Sequence, residues 1–143
     1  MRSLTFTKTV GAGAFGTVYR AELSTGQGFS RRVAVKIISG DHAEKEMFIT
    51  RMRDEARLLG LLQDDHILKV LDLLSVNNRD AIVMEYIDGV DLSDALNAGH
   101  PPPLRTALDI GAIVAATLHR APSATHPRSG EPLGVVHRDV QPA

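Results

Sequence analysis

Residues 11–19 read Gly-Ala-Gly-Ala-Phe-Gly-Thr-Val-Tyr, and the three residues after the third glycine decide the fold. Gly11, Gly13 and Gly16 satisfy G-x-G-x-x-G. With 12 glycines in 143 residues, a chance match somewhere in the chain has a probability of about 0.08. In dinucleotide-binding folds a helix starts directly after such a turn, so that its N-terminus meets the pyrophosphate. Here Thr17-Val18-Tyr19 is β-branched and aromatic, which favours strand. Before the turn, Leu4, Phe6 and Val10 alternate with Thr5, Thr7 and Thr9, which predicts another strand. The glycines therefore lie in a hairpin, and the dinucleotide fold is excluded. Two readings of the turn stand. It is an ordinary glycine hairpin, or its missing side chains let backbone N–H groups approach phosphates.

Working outward, Thr25 to Ser30 reads as a turn and the β-branched run Arg32 to Ile38 as a third strand. Asp41, with Glu44 three residues on, resembles a capped start for a helix running to about Leu62. Ile67 to Val76 and Ala81 to Tyr86 predict two more strands around the Asn77-Asn78 turn. After Asp88-Gly89 come a short helix near Leu92 to Asn97, a loop at Pro101-Pro102-Pro103, and an apolar helix from about Leu104 to His119. Residues 120–134, with three prolines and two glycines, read as loop. Five strands with one helix, then helices, predict an α+β chain whose two lobes meet near Tyr86 to Gly89.

Composition narrows the function. Hydrophobic residues make up 43% and charged residues 23%, as in ordinary globular domains. Sixteen basic residues against 17 acidic ones leave no basic field for nucleic acid. Zero cysteines exclude a disulfide scaffold, a thiolate-zinc site and a cysteine nucleophile. His119, His126 and His137 match no compact ligand spacing, so no metal site is expected. The longest apolar run, Ile110 to Leu118, is too short to span a membrane. Met1-Arg2-Ser3 leads into no signal-peptide core, and the expectation is a cytoplasmic protein.

Strand alternation puts Ala34, Lys36 and Ile38 on one face and Val33, Val35 and Ile37 on the other. Both faces are apolar, so Lys36 must snorkel to water, meet an anion or lose its proton. The following helix supplies a candidate. Phe48, Met52, Glu55, Leu59 and Leu62 form one stripe, and Glu55 is its only charged member. Paired, Lys36 and Glu55 would each remove the other's desolvation cost; alternatively, Glu55 lies at the stripe's edge in water.

Near the end, Val135-Val136-His137-Arg138-Asp139-Val140 is an apolar entry into a polar triplet. Aspartate can take a proton from a hydroxyl, and arginine can answer a phosphate bidentately. The glycine turn, Val33-Ala34-Val35-Lys36, Glu55 and His137-Arg138-Asp139 occur in the order of the protein-kinase signatures. The chain resembles the N-terminal half of the bacterial, eukaryotic-like serine/threonine protein kinases over essentially all its length.

That resemblance implies a kinase-like fold: a five-stranded antiparallel N-lobe sheet with one helix (1–86), a hinge (87–90), and the first helices of an incomplete helical C-lobe (91–143). It also implies roles. Gly11, Gly13 and Gly16 would cover the ATP phosphates, and Lys36 would hold them while paired with Glu55. Val10, Val18 and Ala34 would roof the adenine, with Met84 as gatekeeper. Main-chain groups of Glu85 and Ile87 would read the adenine edge, and Asp91 would meet the ribose. Asp139 would receive the substrate hydroxyl proton, His137 would be structural, and Arg138 would bind a phosphorylated activation loop.

The chain also departs from the pattern. Gln141 stands where the family carries a lysine, and the magnesium-binding asparagine and D-F-G aspartate fall outside the 143 residues. The expectation is thus an ATP-dependent protein kinase acting on a protein substrate, with Mg2+ required by the full domain. The 143 residues alone are expected to be inactive, and to self-associate through apolar positions Leu108, Ile110, Ile113, Val114 and Leu118. The alternative is a non-catalytic, pseudokinase-like module that binds nucleotide or a partner. A third reading, a small-molecule phosphotransferase of the antibiotic-kinase type, is disfavoured by Arg138 beside Asp139.

Overall fold

Alternation puts Val33 and Val35 on one buried face of residues 33–37, with Ala34 and Lys36 half-buried on the other, and the sheet is built around them. Five strands form: β1 (Arg2–Gly13), β2 (Gly16–Thr25), β3 (Phe29–Ile37), β4 (Val70–Val76) and β5 (Arg79–Glu85). They pair antiparallel throughout, in the order β1-β2-β3-β5-β4. The computed structural model describes residues 2–13, 16–26, 28–38, 50, 54, 56–62, 64–126, 128–137 and 139–142. Helical residues 56–61 (α1) are followed by α2 (Leu92–Asn97), α3 (Leu104–Arg120) and a 3-10 turn at Ala121–Ser123. Most of the stretch 41–62, including Phe48, Met52 and Glu55, lies outside the described residues.

The chain divides into two units. The first comprises Met1–Gly60 and Leu68–Ile87, the second Leu61–Ile67 and Asp88–Ala143. In the first unit, one sheet face buries Ala21, Val33, Val35, Ala81 and Val83, with Leu4, Leu23, Ile37, Leu71, Leu74 and Val76 packed around them. Val33, Val35 and Val83 are fully buried, and each such side chain contributes about 1.5–3 kcal/mol. On the opposite face Ile38 and Ile82 pack with Ala56 of α1, flanked by Val70, Leu73 and Met84. Alanine escapes a search for large apolar residues, and the expected stripe of this helix did not include it.

Several boundaries moved for identifiable reasons. Strand β1 runs through Gly11 to Gly13, because Gly11 pairs Val18, Ala12 pairs Thr17 and Gly13 pairs Gly16. The expected six-residue turn is therefore mostly ladder. Strand β4 starts at Val70 rather than Ile67. Just before it, Lys69 N donates to the Glu85 side chain (2.8 Å) and Lys69 O accepts from Glu85 N (3.0 Å). Asn77 and Asn78, at φ 50° and 61°, make the two-residue left-handed turn that the β4–β5 hairpin requires.

The second unit corrects the expected loop at 120–134. After the 3-10 turn, Thr125 and Pro132 form an antiparallel bridge. His126 N donates to Glu131 O (2.8 Å), Leu133 N to Ala124 O (2.7 Å) and Gly134 N to Pro122 O (3.3 Å). At the tip, the His126 Nδ1 accepts from the N–H groups of Arg128 (3.2 Å) and Ser129 (3.3 Å). On α3, Leu108, Ile113 and Val114 are exposed, whereas Ile110 and Leu118 are half-buried.

Candidate nucleotide-binding face and catalytic loop

Sheet register brings four expected residues onto one face of the first unit. Val18 lies opposite Lys36, Lys36 opposite Ile82, and Ala34 opposite Met84. The result is a half-buried lysine among Val18, Ala34 and Met84, the same face on which Ala56 packs against Ile38 and Ile82. A cation with apolar neighbours suits a ligand that carries both an anion and a flat apolar ring. Glu55, its expected partner, lies outside the described residues.

At the end of this face the three glycines divide by role. Gly16 has φ +139°, and a side chain there would collide with the Ile37 carbonyl oxygen and approach Ile38 Cα at 3.2 Å. The fold itself requires this glycine. A Cβ on Gly11 or Gly13 would meet nothing within 4 Å, and neither has positive φ. The space beside those two is open to a ligand's approach. Val10, next to them, is exposed.

Where β5 ends, Glu85 N is committed to Lys69 O and its carboxylate to Lys69 N. The expected adenine-edge group is thereby fixed through both its own backbone and its side chain. Ile87, two residues on, is exposed.

Asp91 and Asp139 belong to the second unit. Asp91 is the N-cap of α2, and its Oδ1 accepts from Asp94 N at 2.7 Å. The residue expected at the ribose is thus also a helix cap, a second role its type and position before α2 suit. Capping uses one carboxylate oxygen and leaves the residue held in place. Asp139 is exposed; its N–H donates to His137 Nδ1 (3.3 Å), and its Oδ2 accepts from Gln141 Nε2 (3.4 Å). Pro142 O accepts from Ser93 N in the first turn of α2 (3.2 Å), tying this loop to that helix. Arg138 lies outside the described residues.

One cluster gave no sequence signal. The Asp64 carboxylate accepts from Arg120 through Nε (3.1 Å) and Nη2, and from His66 N (2.9 Å). Arg120 also donates to Oγ1 of the buried Thr117 (3.2 Å). The Arg120 side-chain hydrogen bond is the largest cause, and the His66 N–H the next, of an Asp64 pKa lowered from 3.8 to about 2. Both residues belong to the second unit, where the bond fastens 61–67 to the end of α3. Their separation of 56 positions is invisible to periodicity.

Among the described residues, no helix is long and apolar enough to cross a membrane. Comparison with known proteins is consistent across three kinds of match. The family model for protein tyrosine and serine/threonine kinases matches residues 4–141. The chain is 33% identical to the serine/threonine-protein kinase PrkC of Bacillus subtilis, over 94% of its own length and 19% of the relative's. It is 34% identical to the tyrosine-protein kinase MasK of Myxococcus xanthus, over 92% of this chain and 21% of that one. Among solved structures, the PknI kinase domain of Mycobacterium tuberculosis superposes with a TM-score of 0.69 at 30% identity, covering 98% of this chain and 52% of that one. The chain thus spans about a fifth of the curated relatives and about half of that kinase domain. Five antiparallel strands with a helix on one face, followed by the first helices of a second unit, are a kinase-like fold, and the chain belongs to the protein tyrosine and serine/threonine kinase family.

Proposed function

We propose that this chain supplies the ATP-binding lobe, hinge and catalytic-loop aspartate of a protein kinase that phosphorylates serine or threonine hydroxyls. The observation that carries the reading is the register placing Lys36 among Val18, Ala34 and Met84, beside glycines with open space next to them. In this reading Lys36 holds the α- and β-phosphates, paired with Glu55, and the backbone at Gly11 and Gly13 lies over the phosphate chain. Val10, Val18, Ala34 and Met84 enclose the adenine, main-chain groups of Glu85 and Ile87 read its edge, and Asp91 meets the ribose.

The hydroxyl oxygen bonds to the γ-phosphorus as the bond from that phosphorus to the ADP oxygen breaks. The hydroxyl proton passes to Asp139, and Arg138 answers a phosphorylated segment. Mg2+ would accompany the nucleotide and neutralise phosphate charge.

The test uses the full-length protein that the gene encodes. Lys36→Met and Asp139→Asn should each lower γ-phosphate transfer by about a hundredfold or more, because each removes a group acting at the reacting phosphates. Labelled phosphate recovered on serine and threonine supports the reading. Recovery on tyrosine alone would move the protein toward the specificity named for MasK. Gln141, a neutral residue where the family pattern has a cation, favours a second reading, a nucleotide-binding module without catalysis. Thermal stabilisation by ATP without any transfer would select it.

A further inference from the structure

We propose that Gln141 is a positioning residue for Asp139, an assignment that rests on the phosphoryl-transfer reading above. The Gln141 Nε2 lies 3.4 Å from Asp139 Oδ2. An ionised carboxylate only accepts, so the amide must turn its NH2 group toward it and its oxygen away. The loop around this contact is held on both sides. Asp139 N is bonded to the His137 ring, and Pro142 O to Ser93 N of α2. Main chain and side chain of Asp139 are therefore each directed by a near neighbour.

A lysine at this position brings a full charge on a flexible stem, and that charge is free to follow a phosphate. Glutamine brings no charge, but it has a directional donor whose reach already ends on the carboxylate. Holding Oδ2 presents the second oxygen, Oδ1, to the substrate hydroxyl. As the hydroxyl oxygen bonds to the γ-phosphorus of ATP and the bond to the departing ADP oxygen breaks, the hydroxyl proton moves to Oδ1. The contact is long and solvent-exposed in the free protein. Bound nucleotide and substrate exclude water and shorten such contacts. Gln141 thus acts on the proton acceptor and not on the phosphates.

Steady-state transfer by the full-length protein, with ATP and a peptide acceptor, separates these roles. Gln141→Glu keeps the side chain's shape and replaces the donor by an acceptor. It should lower kcat about tenfold or more while leaving the KM for ATP within about twofold. Gln141→Lys, which restores a donor, should stay within about threefold of the parent in kcat. If Gln141→Glu does not fold, as judged by its thermal midpoint, Gln141→Ala takes its place with an expected loss of about fivefold. A Gln141→Glu protein with unchanged kcat overturns the assignment. So does a loss confined to the KM for ATP, which would place Gln141 on the phosphates. Asp139→Asn distinguishes the two levels of failure. If it still transfers phosphate, or if the parent transfers none, the underlying reading falls as well. If Asp139→Asn is inactive and Gln141→Glu is not impaired, only the role of Gln141 falls.

Discussion

Gly16 and its two companions look alike in the motif but carry different loads. Gly16→Ala should destabilise the first unit by about 2 kcal/mol or more, since it combines a positive φ with a backbone collision at Ile37. Gly11→Ala and Gly13→Ala should change stability by less than about 1 kcal/mol, and should act on ATP affinity instead. Urea denaturation and ATP-dependent thermal shifts read the two effects separately. Asp64 makes stability depend on pH. Its folded pKa of about 2 lies below the ordinary 3.8, so the stability it contributes is complete above about pH 4. That contribution is lost as pH falls toward 2. The gap in thermal midpoint between the parent and Asp64→Asn should therefore be widest near neutrality and close at about pH 2.

Among the elements, β3 was the most legible, because its β-branched run reads as a strand, with Val33 and Val35 buried on one face and Ala34 and Lys36 half-buried on the other. Val35 is fully buried between Tyr19 and Val83 in register. Val35→Ala should cost about 2 kcal/mol, measured by denaturant unfolding, through lost burial and the cavity left behind. The Asn77-Asn78 turn was legible for a similar reason, since those residues tolerate left-handed backbone at low cost. Much of what the sequence did not disclose depends on partners distant along the chain. The late start of β4 reflects Lys69 bonding to Glu85, 16 residues on. The Asp64–Arg120 bond crosses 56 residues, whereas the Asp91 cap is local, three residues from Asp94. The Gln141 contact spans only two residues, yet no periodic pattern announces it.

Across the molecule, the motif order along the chain carried more information than any single motif. A glycine pattern with a chance frequency of about 0.08 became decisive only beside Lys36 and His137 to Asp139. Several apolar side chains of α3 are open to water. Leu104 is 77% and Leu108 65% exposed, an arrangement that favours association in water. The 143-residue chain studied alone should sediment as more than a monomer at micromolar concentration. Leu108→Glu combined with Val114→Glu should shift it toward the monomer in the same sedimentation experiment.

The bonded ends of the 124–133 hairpin carry an engineering consequence. Gly134 N reaches Pro122 O, so the chain enters and leaves this hairpin at nearly the same point. The intervening residues form a side branch rather than a tether, and their length is decoupled from the distance between α3 and Val135. A closed side branch of this kind is a natural grafting port. A fluorophore, an affinity tag or a foreign epitope placed around Ser129 would report on a position eight residues from His137 while leaving the path from α3 to Val135 untouched.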